Sequence, residues 1–92
     1  MKARLLLKDK ETRPDGVTIE RVVYELPVVS PGRRHGFKYR LYCGREGKCI
    51  VRYDNEVGKG DHVHYGEVER PYEFQSLEIL LLDFDRDIRQ LT

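Results

Sequence analysis

Two segments with alternating apolar and polar residues, 37–43 and 48–54, flank the short break Arg45-Glu46-Gly47. A period of two is typical of a β-strand that buries one face. We place Gly47 in the left-handed position that a three-residue hairpin loop requires. This register pairs residue 43 with 49, 41 with 51, 39 with 53 and 37 with 55. A shift of one residue would turn charged side chains inward, which burial opposes.

The predicted hairpin has one apolar face and one charged face. The apolar face is formed by Phe37, Tyr39, Leu41, Cys43, Cys49, Val51 and Tyr53. On the other face, the register sets Lys38 opposite Asp54 and Arg40 opposite Arg52. Directly opposed like charges destabilise a sheet, and a bound anion would relieve them. The alternative is that both arginine side chains simply turn away into water.

The remaining elements predict an α+β fold. Residues 2–9 and 17–26 indicate a second hairpin around the turn Arg13-Pro14-Asp15-Gly16, and residues 62–65 indicate an optional fifth strand. Ser76 is a favourable N-cap, and apolar residues recur after it with helical spacing. We therefore predict a single antiparallel sheet of four to five strands (β-β-β-β-(β)-α) with one C-terminal amphipathic helix. The helix is expected to pack on the face formed by Tyr39, Leu41, Val51 and Tyr53.

Length and composition indicate the class of protein. The chain has 92 residues, which supports a single domain over residues 1–92 whose core is small enough to benefit from a homodimer or another partner. No apolar run is long enough for a membrane span or a signal peptide, so we expect a cytoplasmic protein. The two cysteines are then expected to be free thiols.

Charge is unevenly distributed although the net charge is only +1. Residues 1–60 contain 14 Lys and Arg against 8 Asp and Glu, whereas residues 61–92 contain 3 against 8. A local basic surface is therefore compatible with a nearly neutral chain. We assign the acidic excess mainly to a solvated outer face of the helix, which carries Glu78, Asp83, Asp85 and Asp87.

Ionisable residues and glycines are concentrated between Arg52 and His64, in RYDNEVGKGDHVH. On a strand, His62 and His64 point to the same side. They can exchange protons near neutral pH, while Lys59 can stabilise negative charge on a phosphate. The candidates for binding phosphate or nucleic acid are Lys38, Arg40, Arg52, Arg34 and His35. These residue types suit cleavage of RNA through its own 2′-hydroxyl, without any cofactor.

Two other interpretations stay open. In the first, a divalent metal ion is bound by Asp61, His62 and His64, with Asp54 close in sequence, and the protein is a metal-dependent nuclease. In the second, the histidines are ordinary strand residues and the protein is a non-catalytic module that binds protein or nucleic acid.

Several motifs resemble those of the TumE family of small proteins of toxin–antitoxin pairs. They include the opening MKARLLLKDK, Pro31-Gly32-x-Arg34-His35 with Lys38-Tyr39-Arg40-Leu41, Arg52-Tyr53-Asp54-Asn55-Glu56 with Gly58-Lys59-Gly60-Asp61-His62 and His64, and Pro71-Tyr72-x-Phe74. The resemblance covers nearly the whole chain. It implies a toxin encoded beside a helix-turn-helix antitoxin. Combined with the basic residues, it favours a toxin that acts on RNA, as a small ribonuclease.

Overall fold

The computed structural model of the chain describes residues 2–27, 35–56 and 58–92. These residues form six strands and one C-terminal helix. Their bounds are β1 (Arg4–Thr12), β2 (Val17–Glu25), β3 (Phe37–Arg45), β4 (Lys48–Glu56), β5 (Gly60–Tyr65), β6 (Val68–Pro71) and α1 (Leu77–Leu91). All six strands lie in one sheet in chain order, and each is antiparallel to the next.

The predicted α+β class, single antiparallel sheet and C-terminal helix are confirmed, but the predicted number of strands is wrong. The sheet has six strands rather than four to five, because the residues before the helix pair with β5 as a short edge strand, β6. All four residues of β6 are exposed, so they do not show the alternation of apolar and polar residues that a half-buried strand requires. Gly66, at φ 62°, allows the tight turn between β5 and β6.

The predicted register of the β3–β4 hairpin is also wrong. Arg45 pairs with Lys48, so the loop contains only Glu46 and Gly47, and both have positive φ as the mirror-image turn of a two-residue hairpin requires. A bulge at Ile50 then restores the pairing of Cys43 with Val51. The predicted apolar residues other than Cys49 still share one face, and therefore burial alone could not exclude the wrong register.

The corrected register changes which charges meet on the other face. Arg40 lies opposite Asp54 and Tyr42 lies opposite Arg52. The expected pairing of Arg40 with Arg52 therefore does not occur. Lys38 pairs with Tyr24 of β2. Opposite charges in directly paired positions stabilise a sheet, so this face needs no anion to offset repulsion between Arg40 and Arg52.

The turn between β1 and β2 forms as the sequence predicts. Gly16 adopts φ 86° and its N–H donates to the Arg13 carbonyl at 2.9 Å. The Asp15 carboxylate accepts from the Val17 N–H at 3.1 Å. This side-chain hydrogen bond stabilises the turn in addition to the backbone one.

Helix α1 covers one face of the sheet, as predicted. Ser76 accepts from the Ile79 N–H at 3.1 Å and thereby caps the first turn. Leu80 and Phe84 are fully buried, and the Phe84 ring meets Tyr53 edge-on with ring centroids 6.1 Å apart. The buried core under the helix consists of Val17, Ile19, Val23, Tyr39, Leu41, Cys43, Val51, Tyr53, Val63, Leu80, Phe84 and Ile88.

The acidic residues of the helix do not form a merely solvated face, contrary to the sequence-based expectation. Asp87 is buried and accepts from the hydroxyls of Tyr53, at 2.5 Å, and Tyr65, at 2.8 Å. Asp83 accepts from the Tyr72 hydroxyl at 2.6 Å. Each bond joins a helix carboxylate to a tyrosine from the strands or from the segment that follows them, so these carboxylates fix how the helix lies on the sheet.

A fourth carboxylate contact joins the helix to β2. The Arg21 guanidinium donates to Asp85 at 2.8 Å and lies over the Phe84 ring, 5.4 Å from its centroid. Arg21 is on the face that the helix covers, where its aliphatic part packs and its charged end reaches the rim.

No helix among the described residues is long and apolar enough to cross a membrane.

Replacing Tyr53 with Phe is expected to lower the free energy of unfolding by about 1–3 kcal/mol, because the buried Asp87 carboxylate loses a donor. Urea denaturation of the wild type and the variant measures the difference. Tyr24→Phe is the matched control, since the Tyr24 hydroxyl makes no hydrogen bond to another described residue. Equal losses in the two variants would contradict a special role for the Tyr53–Asp87 bond.

Stability is expected to fall as the pH rises above about 10, the ordinary pKa of tyrosine. Burial, followed by hydrogen bonds to carboxylates, raises the pKa of Tyr39, Tyr53 and Tyr72. Above the unfolded pKa, the folded chain therefore holds protons that the unfolded chain has released, and this favours unfolding. Absorbance of tyrosinate and circular dichroism, followed together, should show these three groups ionising only with unfolding. Their ionisation in a chain that stays folded would contradict the prediction.

Candidate functional site

Three ionisable side chains meet on the face of the sheet that the helix leaves uncovered. Asp54 of β4 pairs with His62 of β5, and Arg52 of β4 pairs with His64 of β5. Residues two apart on a strand share a face, so the two histidines lie side by side. We call Asp54, His62 and His64 the Asp–His cluster.

The polar atoms of the Asp–His cluster converge. One carboxylate oxygen and one ring nitrogen from each histidine all lie within 4.8 Å of one another. The Nε2 atom of His62 contacts Oδ1 of Asp54 directly. The two imidazole rings stand edge to face with centroids 5.1 Å apart. The side chains of Asp54, His62 and His64 are only 14%, 6% and 17% exposed, so water screens the cluster poorly.

The backbone fixes the orientation of the His62 ring. Its Nδ1 lies 3.2 Å from the Gly60 carbonyl oxygen. A carbonyl oxygen only accepts, so this contact assigns a hydrogen to Nδ1. The other nitrogen, Nε2, therefore faces the Asp54 carboxylate.

Three buried polar atoms at this place have no hydrogen-bond partner among the described residues. They are Nε of Arg52, Oδ1 of Asp54 and Nε2 of His64. The Arg52 Nε lies 3.1 Å from Asp54 Oδ2, which is an ion-pair contact outside hydrogen-bond geometry. Buried polar groups are nearly always satisfied in folded proteins, so three unsatisfied atoms in one place call for an ordered water molecule or a bound ligand there.

His64 is held in its neutral form. Burial lowers its pKa first, and the nearby Arg52 guanidinium lowers it further. Both effects disfavour the imidazolium, since one removes water and the other adds a like charge. At neutral pH, His64 therefore presents a lone pair that is able to accept a proton or bind a metal ion.

Glu69 of β6 belongs to the site although no sequence pattern indicated it. Its carboxylate oxygen lies 3.6 Å from His62 Nε2 and 3.7 Å from His64 Nε2. Lys59, predicted to stabilise a phosphate, instead lies 3.2 Å from the same oxygen and holds the pKa of Glu69 below its usual range. Glu69 was missed because the segment containing it was not predicted to be a strand.

The arginines expected to form a basic surface are paired with acids. Arg40 reaches Glu20 at 3.3 Å and lies over the Tyr42 ring, 5.1 Å from its centroid. Lys10 approaches Glu20 at 3.6 Å from the other side. Lys38 is exposed and makes no ion pair with another described residue. The open face is therefore a pattern of ion pairs around the Asp–His cluster, rather than the basic sheet face that the sequence suggested.

Asp61 and His35 are not part of this arrangement, contrary to the sequence-based predictions. The side chain of Asp61 turns to the face that carries the core, where it accepts from the Tyr39 hydroxyl at 2.6 Å and lies 2.8 Å from His35 Nε2. His35 stacks on Phe74 with centroids 3.7 Å apart. Neighbouring residues on a strand face opposite sides, so Asp61 cannot join His62 and His64 as a third ligand. Asp54 takes that place.

Arg34 and the two cysteines are the remaining residues that the sequence analysis considered. Arg34, predicted to bind phosphate, lies outside the described residues. Both cysteines are free, and burial raises the pKa of each thiol, which makes them poor nucleophiles. Cys49 lies opposite Gly44, so the bulge moves it off the predicted apolar face.

A shallow cavity of about 280 Å³ opens beside the Asp–His cluster at the β5–β6 edge. Its lining residues are Lys59, Asp61, His62, Glu69, Arg70 and Pro71. A ligand could therefore approach His62 from solvent without displacing the helix or the core.

Comparison with known proteins identifies one family. The family model described as Toxin TumE matches residues 2–92. The curated proteins and the solved structures gave no significant match to the chain.

Replacing Asp61 with Ala is expected to lower the free energy of unfolding by about 1–3 kcal/mol, because the buried Tyr39 hydroxyl loses its acceptor. Urea denaturation measures this loss. Glu73→Ala serves as the control, since Glu73 is an exposed acid outside the regular elements. A stability of the Asp61 variant equal to that of the control would show that the Asp61–Tyr39 bond contributes nothing.

Proposed function

Since the chain belongs to the TumE toxin family, we propose that it is the toxin of a toxin–antitoxin pair and that it acts by cleaving RNA at the Asp–His cluster. One observation carries the proposal. A carboxylate, two imidazoles and a guanidinium meet on the uncovered sheet face, and three of their buried polar atoms have no hydrogen-bond partner in the described part of the chain. A group that supplies both acceptor and donor atoms, such as a ribose beside a phosphate, would satisfy them.

RNA is the substrate whose chemistry these residue types suit. Cleavage through the 2′-hydroxyl needs a group that takes a proton, a group that returns one, and positive charge near the phosphate. The free Nε2 of neutral His64 suits the first task. His62 lies beside it and shares the Asp54 carboxylate, so it suits the second.

Arg52 is the group best placed to hold the phosphate. Its guanidinium is beside Asp54 and opposite His64, and its Nε has no hydrogen-bond partner among the described residues. Guanidinium groups bind phosphate oxygens in pairs of parallel hydrogen bonds. Arg40 lies one strand away and would bind a neighbouring phosphate once its exposed pair with Glu20 opens, which costs little. Lys59 acts through Glu69 and not directly on the scissile phosphate.

The partner of such a toxin is an antitoxin, and we propose one of the helix-turn-helix type. Two exposed apolar places support a protein-binding surface. Leu5 and Leu6 lie on the edge strand β1, and Leu82 and Leu91 lie on the helix, all between 38% and 59% exposed. Leu5 and Leu6 are three strands away from β4 in the sheet, and the helix lies on the face opposite the Asp–His cluster, so protein binding and RNA cleavage would use separate surfaces. The same apolar residues favour the second candidate function, a module that only binds protein.

The expected result is that purified wild-type protein cleaves RNA and that His64→Gln lowers the rate by at least about 100-fold, the usual contribution of general acid–base catalysis. Cleavage of single-stranded RNA is measured twice, once with chelator-treated protein and once with zinc-supplemented protein. A metal requirement therefore cannot hide the activity. Expression of the same variants in growing cells measures toxicity in parallel.

His35→Gln is the matched control because His35 lies on the opposite face, stacked on Phe74. It should cleave RNA at close to the wild-type rate. If the wild type cleaves no RNA in either condition, or if His64→Gln remains fully active and toxic, the ribonuclease proposal fails. Toxicity that survives the loss of His64 would favour the binding module.

A further inference from the structure

We infer that the Asp–His cluster binds one divalent transition-metal ion through a carboxylate oxygen of Asp54 and the Nε2 atoms of His62 and His64. The inference deepens the proposed function. Only its consequence for RNA cleavage rests on that function. The binding itself is a property of these three side chains and can be measured without RNA.

The first argument is geometric. The three ligand atoms lie within 4.8 Å of one another. In a tetrahedral zinc site with bonds of about 2.1 Å, ligand atoms are about 3.4 Å apart, so the widest gap has to close by no more than about 1.4 Å. The direct contact between His62 and Asp54 has to open at the same time. Side-chain torsions can make both changes, because all three groups project to one face from neighbouring strands.

The second argument concerns the contact between His62 and Asp54. Because Nδ1 of His62 donates to the Gly60 carbonyl, a neutral His62 directs the lone pair of Nε2 at a carboxylate oxygen. Two acceptors in contact repel unless a cation lies between them. At the present contact only a proton on Nε2 fits between the two atoms, whereas a metal ion binds both of them once they move apart. The contact is not a hydrogen bond of ordinary geometry, so Oδ1 of Asp54 has no hydrogen-bond partner among the described residues.

The third argument is that the His64 lone pair has no hydrogen-bond partner among the described residues. The Nε2 atom that carries it is buried. Its nearest acid, Glu69, is 3.7 Å away and is held by Lys59. A proton shared between His62 and Asp54 would leave this nitrogen unsatisfied, whereas one metal ion satisfies all three ligands at once.

The surroundings match what metal-binding histidines usually have. The second ring nitrogen of such a histidine normally donates to a carbonyl or a carboxylate, which sets the ring orientation. Gly60 provides this contact for His62. Asp54 is held in turn by Arg52, 3.1 Å from its other oxygen. The positive charges of Arg52 and Lys59 weaken the attraction for a cation, and the negative charge of Glu69 offsets part of that effect.

The donor set selects the class of metal. Two imidazoles and one carboxylate suit Zn²⁺, Co²⁺ or Fe²⁺, whereas Mg²⁺ prefers oxygen ligands alone. Three protein ligands leave at least one position for water or substrate, which is typical of catalytic rather than structural sites.

Metal binding has a direct consequence for the proposed reaction. The ion takes the lone pair on His64 through which the imidazole would accept a proton. Metal-loaded and metal-free protein must therefore differ in their rate of RNA cleavage. If the loaded form is the active one, the bound ion replaces the histidines as the source of catalysis, by stabilising charge on the phosphate oxygens.

The test is titration of chelator-treated full-length protein with Zn²⁺ by calorimetry, and with Co²⁺ by visible absorption. We expect one ion per chain and the visible bands of Co²⁺ bound to nitrogen. Asp54→Asn and His64→Gln should each weaken Zn²⁺ binding at least about tenfold, the smaller loss seen even for outer-shell changes. Mg²⁺ at the same concentrations should give no heat of binding.

Asp61→Asn is the matched control. It also removes one negative charge, but from the residue next to His62 on β5, whose side chain points to the face opposite the Asp–His cluster. Its affinity for Zn²⁺ should stay within about threefold of wild type. Absence of stoichiometric binding, or equal weakening by the Asp54 and Asp61 substitutions, would overturn the inference and leave a proton between His62 and Asp54. Because no RNA is present, failure of this test leaves the ribonuclease proposal intact, and loss of RNA cleavage leaves the metal site intact.

Discussion

The pairing of β4 with both of its neighbours determines which polar groups meet on the uncovered face of the sheet. On one side, the two-residue turn at Glu46 and the bulge at Ile50 set Arg40 against Asp54. On the other side, the β4–β5 register sets Asp54 against His62. Asp54 is thus placed between an arginine and a histidine. A one-residue shift of β4 would move it to the core face and remove the cluster.

The covered face depends on polar contacts as well as on apolar burial. Asp87 enters the interface between helix and sheet because Tyr53 and Tyr65 supply hydroxyl donors there. A buried carboxylate without such donors would cost several kcal/mol, so the tyrosines and the aspartate are interdependent. Their bonds also have direction, and they hold the helix in one orientation where apolar contacts alone would tolerate several.

The sequence was sufficient for the parts of the fold that periodicity controls. The apolar face of β3 and β4 and the Ser76 cap of the helix follow from local patterns. The register did not, because a bulge at Ile50 lets a shorter turn keep the same residues buried. β6 was missed because its four residues are all exposed, and Glu69 was missed with it. His62 and His64 were predicted as a pair from their spacing, but only the strand pairing shows that Asp54, eight positions before His62, completes the cluster in place of Asp61.

Ion pairing on the uncovered face affects how an anionic substrate would bind. Arg40 is half exposed, so its pair with Glu20 is weak and a phosphate can replace the carboxylate with little loss. The contact between Arg52 and Asp54 is more deeply buried, and opening it would leave a charge without a partner in a poorly screened place. A cation bound to Asp54 removes that penalty, because it takes over the carboxylate and frees the guanidinium for a phosphate. Metal binding and phosphate binding at Arg52 would therefore support each other, and the affinity for one should rise with the other.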